Sequence, residues 1–247
     1  MTQHPDARTL IFTLILVILC RGLIMVYVWV IAGHYRPVRY WASGSLLAAA
    51  GALFIGLREA LPAWLSILPG QFLLLSGWLI LDAGVILAAG RPPPWRWGMA
   101  LALVGLAGVT FHTLVQPDLA QRIAWSGLPA LVFDAGAGLA CLLAPPNPKR
   151  TTLRLLGGLL LALMLSNLVR IGYVLHTDTH NLFANDWPII QFYLITILVN
   201  LFGSMLSVLL ATLEIREHLD RELEDRKQSE AALRASEAQF RILTDTS

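Results

Sequence analysis

The sequence predicts an all-α polytopic membrane protein: a bundle of seven transmembrane helices continuing into a cytoplasmic, coiled-coil-like helix. Three observations predict it. Of 247 residues, 56% are hydrophobic and only 14% charged, where ordinary globular chains carry roughly a quarter charged residues. Fifteen of the 34 charged side chains fall in residues 213–247, which leaves 19 for the 212 residues before them. Finally, proline and charge cut the apolar part into seven runs of membrane-crossing length. A stretch this apolar cannot fold around one aqueous core, so its partner is the lipid bilayer. Collagen-like, disordered and disulfide-rich secreted classes are excluded by the same composition. A net charge of +2 without any basic cluster interleaved with aromatics excludes a nucleic-acid binder.

A hydrocarbon core about 30 Å thick needs roughly 20 apolar helical residues. The qualifying runs are 10–32, 40–57, 66–90, 98–115, 122–144, 152–175 and 188–212. Arg36-Pro37-Val38-Arg39 separates the first two, Pro92-Pro93-Pro94 ends the third, and Pro145-Pro146-Asn147-Pro148 ends the fifth. Proline cannot continue a helix and displaces the residue before it, so these are stops. The first run is longer than a signal-peptide core and lacks a small-residue cleavage site, which makes it a retained helix. Loops after the first, third and fifth runs hold Arg36, Arg39, Arg91, Arg96, Lys149, Arg150 and Arg154 and no acid, while the other ends are flanked by Arg8, Arg58 and Arg122 beside Asp6, Glu59, Asp118, Asp178 and Asp186. Excess lysine and arginine mark cytoplasmic loops, so the N-terminus is expected outside and the C-terminus in the cytoplasm. Cys20 and Cys141 lie within apolar runs and read as small packing residues, not as a redox pair or zinc ligands.

Ionisable groups at membrane depth are costly and mark candidate functional sites. Arg21 falls midway along the first run, Asp82 and Asp134 near the middle of the third and fifth, and Asn167 and Arg170 in the outer half of the sixth. The simplest expectation pairs Arg21 with Asp82, Asp134 or both. Such a pair serves as structural glue, as part of a switchable signalling core, or as a transport or proton path, and the sequence leaves the three open. Asp82-Ala83-Gly84 and Asp134-Ala135-Gly136, each followed by paired prolines, fit duplicated units and equally a chance match in a chain this rich in Ala and Gly; the spacing puts both carboxylates about 15 Å from the cytoplasmic end at 1.5 Å per residue.

A second cluster of polar residues lies on the opposite face. His112 ends the fourth run, and His176, Asp178 and His180 follow the sixth. Were the helix to persist, His176 and His180 would share one side at i and i+4. Two imidazoles, a carboxylate and a third histidine form a possible zinc or copper set, against the plainer reading of a solvated polar loop without any cofactor. The metal reading requires the fourth and sixth helices to be neighbours.

From Leu213 the composition turns to helix formers without Gly or Pro up to Phe240. A heptad frame puts Thr212, Leu219, Arg226, Leu233 and Phe240 at one seam position and Ile215, Glu222, Ser229, Ser236 and Leu243 at the other. The apolar half of these, Ile215, Leu219, Leu233, Phe240 and Leu243, makes a marginal coiled coil whose polar seam residues keep two registers close in energy. A homodimer through this helix is expected.

Here a resemblance enters. Arg226, Lys227, Glu230, Leu233, Ser236, Glu237, Phe240 and Arg241 reproduce the pattern Arg-Lys-x-x-Glu-x-x-Leu-x-x-Ser-Glu-x-x-Phe-Arg, and the stretch resembles the helical linker leading into a PAS domain in bacterial membrane sensors. The segment from Tyr40-Trp41 to Leu57-Arg58, with Pro62, Trp64 and Ser66, is similar to the seven-helix sensory regions of such proteins. The resemblance implies an input module in the bacterial inner membrane, residues 1–212 sensing and 213–243 signalling, with 244–247 starting a PAS domain ahead of a histidine kinase or GGDEF diguanylate cyclase core. It carries over no catalytic residue. No nucleophile–base pair, phosphate loop or close carboxylate pair is recognisable, so the chain itself is not expected to be an enzyme. The rival expectations are a small transporter or proton-conducting protein, which uses the same buried charges, and a membrane metal-binding protein.

Overall fold

The computed structural model describes residues 7–31, 35–58, 60–146, 148–177 and 186–245. These residues form seven helices and, among the described residues, no strand: α1 (Ala7–Ile31), α2 (Arg36–Gly56), α3 (Ala63–Ala88), α4 (Trp95–Leu114), α5 (Leu119–Leu142), α6 (Arg150–His176) and α7 (Trp187–Asp245). All seven are long and apolar enough to cross a membrane, as expected. Helix ends follow local chemistry. Pro37 sits in the first turn of α2, where its missing N–H costs nothing. Gly90, with φ of 77°, closes α3: its N–H reaches Leu87 O at 2.9 Å and that of Arg91 reaches Ile86 O at 3.1 Å, a Schellman ending. Asp118 caps α5 by accepting from the Gln121 N–H at 3.1 Å, satisfying one of the donors a helix start leaves open.

Chain direction defines two faces. The distal face holds the starts of α1, α3, α5 and α7; the stalk face is where α7 leaves the bundle. Principal packing runs α1–α2, α2–α3, α3–α5, α5–α6, α6–α7 and α7–α1, a closed ring of six helices, with α4 outside against α3 and α5. Accordingly α4 is the least buried of the seven.

Close approach depends on glycine. A Cβ on Gly51 of α2 would lie 2.6 Å from Gly70 O and 2.5 Å from Leu74 N of α3, and one on Gly77 of α3 would lie 2.7 Å from Gly44 O. The two helices therefore touch backbone to backbone through Gly44 and Gly51 on one side and Gly70 and Gly77 on the other, a small-residue seam at seven-residue spacing. Gly138 of α5 and Gly157 of α6 repeat the device once, each facing the other's carbonyl.

Burial is inverted relative to a soluble protein. Phe12, Leu16, Leu23 and Val30 of α1 are exposed, the outer face that lipid would cover. Inside, an apolar layer toward the distal face (Ile11, Ile18, Ile189, Ile197) and another toward the stalk face (Met25, Trp41, Leu153, Leu210) bracket a polar waist.

Helix α7 runs 59 residues without a break, so no change of backbone marks the expected boundary after residue 212. Beyond the bundle, Leu219, Leu223 and Leu233 are exposed, and i,i+4 ion pairs such as Arg234–Glu230 at 3.7 Å line the stalk. Ile215 is half-buried at its root. The side chains of Phe240 and Leu243 lie outside the described residues.

Candidate functional site

Of the five polar residues expected inside the bilayer, Arg21, Asp82, Asp134 and Asn167 are buried and Arg170 is half-buried. They form two groups at different levels. At the waist, the Arg21 guanidinium donates to Asn200 Oδ1 at 3.1 Å, and Asn200 donates from Nδ2 to Thr196 O, 2.9 Å away on its own helix. Asp82 lies within electrostatic range of Arg21, and Asp134 within range of Asp82.

The expected direct pairing of Arg21 with Asp82 or Asp134 is not what forms. Among the described residues no carboxylate oxygen comes within 4.0 Å of Arg21. The reason is topological: α1 packs on α2 and α7, whereas the aspartates stand on α3 and α5 across the ring. Arg21 therefore takes the acceptor its neighbour α7 presents. The result is an incompletely satisfied core, with Arg21 Nε, Asp82 Oδ2 and Asp134 Oδ1 all buried without a hydrogen-bond partner. Groups left in that condition are costly in a low dielectric.

The expected depth of the carboxylates also shifts. Asp82 precedes the end of α3 by six residues and Asp134 the end of α5 by eight, about 9 and 12 Å at 1.5 Å per residue. Nor are the two Asp-Ala-Gly segments equivalent. A Cβ on Gly84 would lie 2.8 Å from the Trp41 ring, while Gly136 has nothing within 4 Å.

The second group lies nearer the distal face. Asn167 Nδ2 donates to Gly127 O at 3.1 Å, joining α6 to α5. Arg170 donates to Asn167 Oδ1 at 2.9 Å, and its guanidinium lies 3.8 Å from the centroid of the Phe192 ring on α7, a cation–π contact. A cavity of about 180 Å³ runs inward from this level. Arg58, Arg122 and Arg170 line it toward the distal face, and Asp134 lines its deep end. A second cavity, toward the stalk face between α3, α4 and α5, is lined by Asp82 together with Trp95 and Trp97. Each aspartate thus borders its own cavity.

Where α7 leaves the bundle, Lys149 bonds Glu214 and, at 3.0 Å, Glu217. Burial pulls the Lys149 ammonium toward neutrality, but the two glutamates outweigh it and hold its pKa above the ordinary value of 10.5. This ties the α5–α6 turn to the root of the stalk.

Of the outer histidines, His112 stands on α4 and His176 on α6. Helix α6 stops at His176, and Thr177 is extended, with φ −122° and ψ 141°. His176 Nδ1 lies 2.8 Å from Gly172 O. His112 stands on α4, outside the ring, and α5 separates α4 from α6. Asp178 and His180 lie outside the described residues; among the described residues no group of three His, Cys, Asp or Glu side chains could hold a metal.

Three features escaped the sequence reading. Asn200 is uncharged and does not stand out in the apolar seventh run, although its i+3 neighbour Gly203, which lies against Arg21, is a hint of close approach. Arg58 and Arg122 count as loop-flanking cations by hydropathy, and only the fold turns them toward a common cavity. The seven-residue glycine spacing of α2 and α3 was a readable signal for their pairing. Comparisons with protein-family models, with curated proteins and with solved structures find no match.

Proposed function

We propose that this chain is a membrane-embedded sensory input module that passes a signal through α7 to an output domain. The observation that carries the reading is the continuity of α7. One unbroken helix from Trp187 to Asp245 holds both the acceptor of Arg21 and the exposed stalk, about 88 Å at 1.5 Å per residue. A change at Asn200 that moves or rotates this helix is delivered to the stalk without a hinge to absorb it. The unsatisfied groups at the waist supply a bistable element for a stimulus to bias. Exposed Leu219, Leu223 and Leu233 suit a homodimeric stalk. The PAS-linker resemblance of residues 224–243 supports a downstream PAS domain with a kinase or cyclase core, in which catalysis would reside. On this reading the membrane is a bacterial inner membrane with the stalk on its cytoplasmic side.

The test is cysteine cross-linking between stalks in native membranes. Single cysteines at Leu219, Leu223, Glu230 and Leu233, with Cys20 and Cys141 replaced by serine, are expected to cross-link with helical periodicity. Arg21→Gln is expected to shift which positions react. No cross-link at any position, or a pattern unchanged by Arg21→Gln, overturns the reading.

One observation favours a second reading, proton conduction. Asp134 borders the distal cavity and Asp82 the stalk-side cavity, with the two carboxylates in electrostatic range of each other. Proteoliposomes loaded with a pH-sensitive dye would then acidify under an imposed gradient and lose that flux in Asp82→Asn and Asp134→Asn.

A further inference from the structure

We propose that the distal cavity binds a small amphipathic anion, a carboxylate or phosphate head on a short apolar body, with Arg58, Arg122 and Arg170 around the head. This assignment does not depend on the sensory reading, because it concerns binding alone.

Arg58 follows α2, Arg122 lies in the first turn of α5 and Arg170 stands on α6, and all three line one cavity. Arg58 and Arg122 are in electrostatic range of each other, and Tyr193 is in range of both Arg58 and Arg170. Three cations thus line one half-buried space, and of these Arg58 and Arg122 repel each other in a weakened dielectric. Asp118, at the start of α5, is in electrostatic range of Arg122. Among the described residues no carboxylate lies within 4.0 Å of Arg122 or Arg170. Asp134, the acid among the lining residues, is twelve residues beyond Arg122 on the same helix, about 18 Å at 1.5 Å per residue.

Arg170 is held ready for a ligand. Asn167 and Phe192 fix its plane, and its Nε is buried without a hydrogen-bond partner. A carboxylate or phosphate arriving from the cavity supplies the missing acceptor, and bonds between ionised partners are the strong ones. Deeper in, the walls are mainly apolar, with Leu14, Ile18, Leu74 and Trp78 beside the polar Gln71 and Thr196, so the rest of the ligand is mainly apolar too. The deep end, where Asp134 stands, offers an anionic head no cation, which sets the orientation: head toward the distal face, body inward. The volume of about 180 Å³ is on the scale of the ~150 Å³ engineered cavity that holds benzene, which points to an aryl or short acyl body.

The experiment measures binding of 3-phenylpropionate to the full chain in phosphatidylcholine nanodiscs by isothermal titration calorimetry. Saturable binding of about one per chain is expected, with octanoate competing and the neutral isostere 3-phenylpropanol failing to compete. Arg122→Gln and Arg170→Gln are each expected to weaken binding at least tenfold, and Arg170→Lys less. Should Arg170→Gln not give a monodisperse particle, Arg122→Gln carries the test, since Arg122 Nε bonds only the carbonyl of Asp118 in its own turn. Nanodiscs containing phosphatidylglycerol separate the sources. Competition by that lipid, lost in the same variants, makes a lipid headgroup the occupant, and absence of competition makes it a free acid. Absence of saturable binding by both the anion and the lipid, equal binding of the alcohol, or indifference to both arginine substitutions overturns the assignment.

Discussion

Two helix pairs in this bundle are held in opposite ways. Helices α2 and α3 meet through glycines, so the atoms in contact are largely backbone. Helices α1 and α7 meet through side chains: the apolar set of Ile11, Ile18, Ile189 and Ile197 on the distal side and one buried hydrogen bond from Arg21 to Asn200. Backbone contact admits one register, because any slide drives a carbonyl or Cα into its neighbour. Side-chain contact can be remade by rotamer changes over the same backbone separation. On the proposed sensory reading, α2–α3 is the rigid part of the molecule and α7, which also carries the stalk, is the part that moves.

The largest effect should come from breaking the seam. Gly51→Val places a branched side chain where a Cβ already lies 2.5 Å from Leu74 N, and neither backbone can yield. A loss of about 3 kcal/mol or more is expected, at the upper end for overpacking, read as a collapse of the unfolding midpoint or an aggregated elution profile in detergent. Near-wild-type stability of Gly51→Val would remove the distinction between the two pairs.

The α1–α7 contact should respond less. A double-mutant cycle of Arg21→Leu with Asn200→Leu is expected to give a coupling of about 1 kcal/mol, in the range for hydrogen bonds between membrane helices. Unlike Gly51→Val, each single variant should still give a folded bundle. Additive single effects would mean that the waist bond contributes nothing.

At the stalk root, Lys149→Met should cost under about 1 kcal/mol, as for a partly exposed ion pair, but raise amide exchange over residues 213–222. The sign with pH follows from the raised pKa of Lys149. The contribution is complete at neutral pH, below the ordinary lysine value of 10.5, and is lost only as pH climbs through the higher folded value. Unchanged exchange in Lys149→Met would show that the root is not clamped there.

The smallest effect contrasts two similar sequences. Gly136→Ala meets nothing within 4 Å and should change stability by no more than about 0.5 kcal/mol. Gly84→Ala in the matching Asp-Ala-Gly segment presses on Trp41 and should be measurably worse in the same unfolding assay. Equal behaviour would restore the idea that α3 and α5 are copies of one unit.

That tripeptide shows where the sequence stops being legible. Asp82 and Asp134 were recognisable as membrane-depth carboxylates from hydropathy alone, and both are buried. Their neighbours were not recognisable, because the same three residues border different cavities on different helices. Arg21 was likewise visible as a buried cation, yet its partner is an amide 179 positions away, chosen by the ring order of helices. His112 and His176 could share a metal set only if α4 and α6 were neighbours, which hydropathy does not tell, and in the bundle α5 packs against both helices.

The number of spans, their ends to within a few residues and the segregation of charge into the stalk were determined by the sequence alone. Hydropathy, proline stops and the Gly90 ending act locally and need no neighbour. Which helices touch, which polar atom Arg21 meets and which arginines share a cavity were decided only by the tertiary structure. A helix that is apolar on nearly every side carries little information about which face turns inward. In lipid that choice rests on small-residue contact and on satisfying scarce polar groups, both properties of the assembled bundle.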